Sequence, residues 1–196
     1  MLTALAAFGA YLLVAELDEP TPLDRAQRVV EVIGLPGAYI PVAYLLSRKL
    51  KQRRRAGGNE IVAAAWAGWL ALRSMRVAIH RPRPPRPPGR KPKTESTFPS
   101  GHTTGLTALA LAAADVLERE GMLTRRQARA LRVGVPLLIG VDRVYIREHW
   151  LTDVLGGWAL GSAAAATATL LVRRQRVRRQ HVQRSRQWTR AASRST

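Results

Sequence analysis

Three short clusters in this chain hold residue types that can grip and attack an anion. Arg76 is followed, after six residues, by Arg83-Pro84, inside the run Arg81-Pro82-Arg83-Pro84-Pro85. Pro99-Ser100-Gly101-His102 comes next, and the third cluster is Arg143, five residues, His149, three residues and Asp153. Guanidinium groups make forked hydrogen bonds to phosphoryl oxygens, so Arg76, Arg83 and Arg143 are candidate phosphate ligands. Ser100 and Gly101 stand where an apolar helix should begin. Free backbone N–H groups at a helix N-terminus bind phosphate, and glycine lets an anion come close. His102 lies at the same end. His149 and Asp153 are four residues apart and share one face if a helix starts near His149. A carboxylate there can accept a hydrogen bond from one ring nitrogen and leave the other free to attack. Singly, each cluster has an ordinary reading: a turn with a helix cap, a surface pair, interfacial anchors. Their joint order and placement point to an oxyanion site.

The elements that must position these residues are apolar blocks, near residues 2–15, 29–47, 61–79, 103–117, 131–146 and 154–172. Only the last is uncharged over a full membrane-spanning length of about 20 residues. The blocks are apolar all round. Leu106 to Ala112, for example, lacks the polar face that a helix on the surface of a soluble bundle requires. Charges fall mostly near block ends, and small residues as in Gly156-Gly157-Trp158-Ala159-Leu160-Gly161 suit close helix packing in lipid. The expected fold is all-α: a bundle of six transmembrane helices with the active site at helix ends on one membrane face. Block one has no basic residue before it and no clear cleavage signal after it, so it reads as a retained span rather than a signal peptide. The expected division is a membrane domain over residues 1–172 and an arginine-rich tail over 173–196. That tail is expected to be disordered or to lie along anionic headgroups.

The chain has 196 residues, 32 basic and 13 acidic, for a net charge of +19. This demands an anionic partner: nucleic acid, an anionic membrane surface or a phosphorylated substrate. Cysteine is absent. Disulfides, thiol nucleophiles, Cys-ligated zinc and iron–sulfur clusters are therefore excluded. With six spans, the basic segments 48–55, 119–129 and the tail lie on one side, and the positive-inside rule makes that side cytoplasmic, with both termini. The acidic loop 16–24, the Arg/Pro-rich loop 80–101 and the connection at 147–153 then face outward. Loop 80–101 is basic against that rule, and the oxyanion site supplies the reason.

These motifs resemble the type 2 phosphatidic acid phosphatases, or lipid phosphate phosphatases, whose signature is Lys-x6-Arg-Pro, Pro-Ser-Gly-His and Ser-Arg-x5-His-x3-Asp. The likeness covers roughly residues 60–172. Two positions depart: Arg76 stands where lysine is usual, and Asp142 where serine is usual. Asp142 could pair with Arg143 and loosen its hold on phosphate, or point elsewhere. The resemblance implies a multi-pass protein of the cell membrane that hydrolyses a lipid phosphate or diphosphate. In the implied mechanism His149 attacks phosphorus to form a phosphohistidine, His102 protonates the leaving oxygen and later activates water, and Asp153 orients His149. Arg76, Arg83, Arg143, Ser100 and the Gly101 amide hold the phosphoryl oxygens. The expected partners are the lipid substrate and membrane lipids, without nucleic acid. No cofactor and no metal are expected, since no carboxylate cluster stands near the motifs to hold an ion.

Two other functions compete. A non-enzymatic basic membrane protein binding anionic lipid or nucleic acid would require all three motifs to be coincidence. A vanadate-dependent haloperoxidase has a similar oxyanion site, but six short apolar blocks do not suit that larger soluble class. His80, His181, Trp66, Trp69, Trp150 and Trp158 read as interfacial, solvated or packing residues.

Overall fold

A computed structural model describes residues 29–85 and 95–192 of the chain, with side chains through Gln183. Among these residues the fold is all-helical. After a helical turn at residues 29–33 come α1 (Pro36–Gln52), α2 (Gly58–Ala78), α3 (Gly101–Arg119), α4 (Arg125–Tyr145) and α5 (Leu151–Ala192). Blocks three to six each become one of these helices, and block two is divided between the turn at 29–33 and α1. Block one, the acidic loop 16–24 and the middle of loop 80–101 lie outside the described residues.

Local sequence explains the boundaries. Pro36 occupies the first turn of α1, where its missing N–H costs nothing. Thr124 and Gln127 form a reciprocal capping box that starts α4. After α2 the chain runs extended from Ile79 through the prolines to Pro85, since proline removes donors and disfavours helix in the residue before it. Connections between α3 and α4, and between α4 and α5, are short. Neighbouring helices therefore alternate in direction, which gathers the C-terminal ends of α2 and α4 with the N-terminal ends of α3 and α5.

Helix α3 is the centre. It packs on α2, α4 and α5, and residues 103–110 are buried without interruption. On one side Tyr39, Ile61, Leu106, Leu109, Val116 and Ile139 form an apolar core. On the other, Ala64, Ala108, Ala112, Ala165 and Ala168 let α2, α3 and α5 approach closely. Outside the bundle, large apolar side chains are exposed along whole ridges: Val133, Leu137, Val141 and Tyr145 on α4, with Leu70 and Val77 on α2. A protein surrounded by water rarely exposes such continuous apolar surface. Among the described residues, one helix, at Leu151–Gln183, is both long and apolar enough to cross a membrane by hydropathy alone.

The arginine tail departs from expectation. α5 runs without a break past Val172 to Ala192, so the boundary at 172/173 falls inside one helix, and residues 173–192 are helical rather than disordered. Arginine is a good helix former, and a helix already nucleated by its packed half extends at little cost. Arg173 anchors the start of this extension, reaching Glu60 at 3.0 Å and Asp115 at 2.7 Å.

The α3–α5 contact sets where both helices begin, and Gly161 is its tightest point. A Cβ there would stand 2.5 Å from the Thr104 carbonyl oxygen. Gly161→Ala should force the helices apart and destabilise the protein by about 1–3 kcal/mol, as overpacking does elsewhere. Thermal unfolding in detergent should show a lowered Tm for Gly161→Ala and little change for Ala163→Val, a substitution at an exposed position of the same helix.

Candidate active site

The three motifs meet at one end of the bundle. Arg76 stands in the last turn of α2, Arg81 and Arg83 on the extended run after it, and Ser100 at the N-cap of α3. Arg143 lies in the last turn of α4, His149 in the turn after it, and Asp153 in the first turn of α5.

His149 is 4% exposed. Its backbone N–H donates to the Arg143 carbonyl at 3.1 Å, which folds the chain back after α4. Its Nδ1 lies 3.0 Å from the Thr97 hydroxyl and 3.6 Å from Asp153 Oδ2. α5 begins at Leu151, two residues after His149, so a shared helical face is not what pairs His149 with Asp153. The turn and the Thr97 loop bring them together instead. Burial lowers the His149 pKa below its usual value. Arg83 and Arg76 push the same way, against the pull of Asp153.

Asp153 has no exposed surface. Its Oδ1 accepts from Arg81 at 2.7 Å, and its Oδ2 accepts from the Thr97 hydroxyl at 2.7 Å and the Trp150 backbone N–H at 2.8 Å. Its own carbonyl accepts the Ser100 amide at 3.0 Å, tying the start of α3 to the start of α5.

The guanidinium groups come with carboxylates. Arg83 donates to Glu148 Oε2 and to the Glu148 carbonyl, both at 3.0 Å. Arg143 is 2% exposed, and its Nε donates to Asp142 Oδ2 at 2.8 Å, with Nη2 on the same oxygen. Of the two possibilities open for Asp142, the structure adopts the pairing. Arg76 is 3.5 Å from the exposed Glu95, while its Nε is buried with no hydrogen-bond partner among the described residues.

At the head of α3, no side chain caps the helix. The Gly101, His102 and Thr103 amides precede the first intrahelical donor, Thr104 N–H, which reaches the Ser100 carbonyl at 2.9 Å. A Cβ on Gly101 would come within 3.2 Å of Arg76 Nη2, so glycine keeps amide and guanidinium close. Ser100 is fully buried, and its hydroxyl accepts from Thr103 at 2.9 Å. His102 Nε2 is 2.8 Å from the Glu31 carbonyl. A carbonyl only accepts, so Nε2 carries the hydrogen and Nδ1 is left as the acceptor. His102 makes no printed bond to the other site residues, yet it lies within electrostatic range of Arg143 and His149.

All eight residues expected from sequence therefore stand at one helix-bundle end. Seven belong to the tight group, and His102 flanks it on the side of residues 29–33. Sequence reasoning passed over Thr97, Glu148 and Arg81. Arg81 was visible as a second basic residue in its motif. Thr97 and Glu148 carry no spacing signal, because their partners lie 52 to 65 positions away.

A cavity of about 300 Å³ opens beside His149, with Pro84, Pro85, Val144, Arg147, Trp150 and Leu151 around it. Its walls are mostly apolar, with one guanidinium.

Comparison with known proteins agrees with this arrangement. The PAP2 superfamily pattern matches residues 60–177, more than half of the chain, and takes in all eight site residues. No curated protein matches the chain. Among solved structures the chain is similar to the first transmembrane PAP2 type phosphatidylglycerolphosphate phosphatase from Bacillus subtilis. The TM-score is 0.66 at 20% identity, over 88% of this chain and 85% of that one. At that identity the likeness speaks for the fold: a helical bundle of the transmembrane PAP2 kind. Motif order, helix arrangement and pattern match coincide, and the chain belongs to the PAP2 superfamily.

Proposed function

We propose that the protein is an integral-membrane lipid phosphatase that removes a terminal phosphate from a lipid phosphate monoester or diphosphate through a phosphohistidine. The observation that carries this reading is one buried histidine with three phosphate-type arginines and an uncapped helix N-terminus around it, at the end of a bundle whose outer ridges are apolar. In the first step the free nitrogen of His149 attacks phosphorus as the bond to the lipid oxygen breaks, and His102, entering the step as an imidazolium with a second hydrogen on Nδ1, gives that hydrogen to the oxygen. In the second, His102 takes a proton from water, whose oxygen attacks phosphorus and releases His149. Asp153 keeps His149 oriented. Arg76, Arg83, Arg143, Ser100 and the Gly101 amide stabilise the oxygens that gain charge. The apolar cavity beside His149 suits the lipid part of such a substrate. Phosphatidylglycerol phosphate, phosphatidic acid, polyprenyl diphosphates and polyprenyl-phosphosugar phosphates all share the group this site would hold.

The membrane assignment is a six-span arrangement in the cell membrane, with residues 2–15 as the first span, both termini cytoplasmic and the site facing outward. The exposed apolar ridges and the basic segments at the end opposite the site support it.

Phosphate release from a panel of these lipids by the purified protein tests the reaction. Wild type should turn over at least one, and His149→Ala none. His102→Ala should be severely impaired, least so with a good leaving group. Wild-type turnover should persist in EDTA, since arginines do the electrostatic work assigned elsewhere to a metal. Near-normal turnover in His149→Ala would overturn the mechanism.

The pH profile gives a second test. The attacking imidazole must be neutral, and burial depresses its pKa, so the neutral form survives into mild acid. After correction for the substrate's own ionisation, the acid limb of kcat/KM should fall below the ordinary histidine value of about 6.5. A limb at or above that value would contradict the assignment of His149.

Sidedness can be read with single cysteines, since the chain has none. Glu95 is exposed beside the site, and Gln52 is exposed at the opposite end. In intact cells a membrane-impermeant maleimide should label Glu95→Cys and leave Gln52→Cys unlabelled. The reverse pattern would put the site in the cytoplasm.

A further inference from the structure

His149 Nδ1, Asp153 Oδ2 and the Thr97 hydroxyl form a triangle: at 3.6 Å the ring nitrogen and the carboxylate oxygen are beyond hydrogen-bonding distance, while the Thr97 hydroxyl is within it of both. We propose that Thr97 is the positioning residue for His149: its hydroxyl bridges His149 Nδ1 and Asp153, so the carboxylate acts on the nucleophile through threonine.

Hydrogen counting fixes the direction. A hydroxyl has one hydrogen, and an ionised carboxylate can only accept. Asp153 has no exposed surface and is held by Arg81 at 2.7 Å, so it is ionised, and the Thr97 hydrogen points to Oδ2 across 2.7 Å. What Thr97 offers His149 is then a lone pair. The 3.0 Å contact with Nδ1 is a bond only if Nδ1 carries the hydrogen. That selects one tautomer, with Nε2 bare and nucleophilic. Asp153 Oδ2 is already occupied by Thr97 and by the Trp150 N–H at 2.8 Å, which leaves little room for a direct bond from His149. Thr97 itself is fully buried, and its backbone N–H donates to the Arg81 carbonyl at 3.0 Å. The backbone that carries the hydroxyl is therefore tied to the run after α2.

The inference rests on His149 being the nucleophile, and it adds no transfer step. As Nε2 forms its bond to phosphorus and the bond to the lipid oxygen breaks, the ring becomes cationic. Nδ1 keeps its hydrogen, Thr97 keeps its own, and the leaving oxygen is protonated by His102. Thr97 passes the field of Asp153 to the ring through two polarised hydrogen bonds.

Three measurements test it together. Thr97→Val, which keeps the shape and removes the hydroxyl, should lower kcat roughly 10- to 100-fold, the range typical for loss of a group that orients a functional histidine. KM should change less than about twofold, and Thr97→Ser should restore most of the rate. In a double-mutant cycle, Thr97→Val combined with Asp153→Asn should be no slower than the slower single variant, as for residues acting in series. ¹⁵N spectra of the folded wild type should show neutral His149 with its hydrogen on Nδ1. A Thr97→Val enzyme within twofold of wild type, multiplicative losses in the cycle, or the Nε2–H tautomer would each overturn the proposal. The tautomer is read on wild-type protein, so a variant that fails to fold leaves the test standing. Wild-type protein inactive on every lipid phosphate would instead refute the proposed function, while the Nε2–H tautomer would still refute the Thr97 contact.

Discussion

A carboxylate with no access to solvent must be fully paired or it unfolds its surroundings, and Asp153 is such a group. Its partners come from every segment of the site. Arg81 reaches it from the run after α2, Thr97 from the loop before α3, and Trp150 from the turn before α5. Its backbone carbonyl holds Ser100 at the head of α3. Removing any one of these leaves a buried charge short of a bond. The loops at this end are thus fixed relative to one another by one residue's demand for hydrogen bonds, and the arginines they carry are fixed with them.

The same logic explains how four arginines share so small a volume. Each guanidinium has its own carboxylate: Arg76 with Glu95, Arg81 with Asp153, Arg83 with Glu148, and Arg143 with Asp142. Like charges in a half-buried site repel strongly unless offset. The carboxylates offset that repulsion and allow the arginines to stand together without an anion. The longest of these pairs is Arg76–Glu95, at 3.5 Å with Glu95 largely in solvent, and Arg76 also carries a buried Nε without a hydrogen-bond partner among the described residues.

At the opposite end a second ion network closes the bundle. Buried Glu60 holds Arg119 and Arg173, Asp115 holds Arg173, and Glu118 holds Arg132. These pairs join α2, α3, α4 and α5 where the alanine seam and Gly161 have already brought the backbones close. Because the helices are rigid and tightly packed, this far end and the helix crossings set the register in which Asp153 meets Thr97 and Ser100.

Much of this was legible in the sequence. Apolar blocks all round, with small residues and charged ends, specified helices packed closely in a low-polarity setting. Motif order placed Arg76, Ser100, Gly101, Arg143, His149 and Asp153 at ends of successive helices, and alternation of direction put those ends together. These are local signals, read over a few residues. Three features needed the tertiary structure. The His149–Asp153 relation looked like a helical i, i+4 pair, but α5 starts too late for that, and the Thr97 hydroxyl is within hydrogen-bonding distance of both. Asp142 had two possible directions, and the structure shows the one that bonds the buried Arg143 beside it. The arginine tail read by composition as disordered or lying along anionic headgroups; through Ala192 it continues the helix of α5, with an anchor from Glu60 and Asp115. Spacing determines which residues can share an element; which side chains share a hydrogen bond across elements is settled by burial, where every polar group must find a partner.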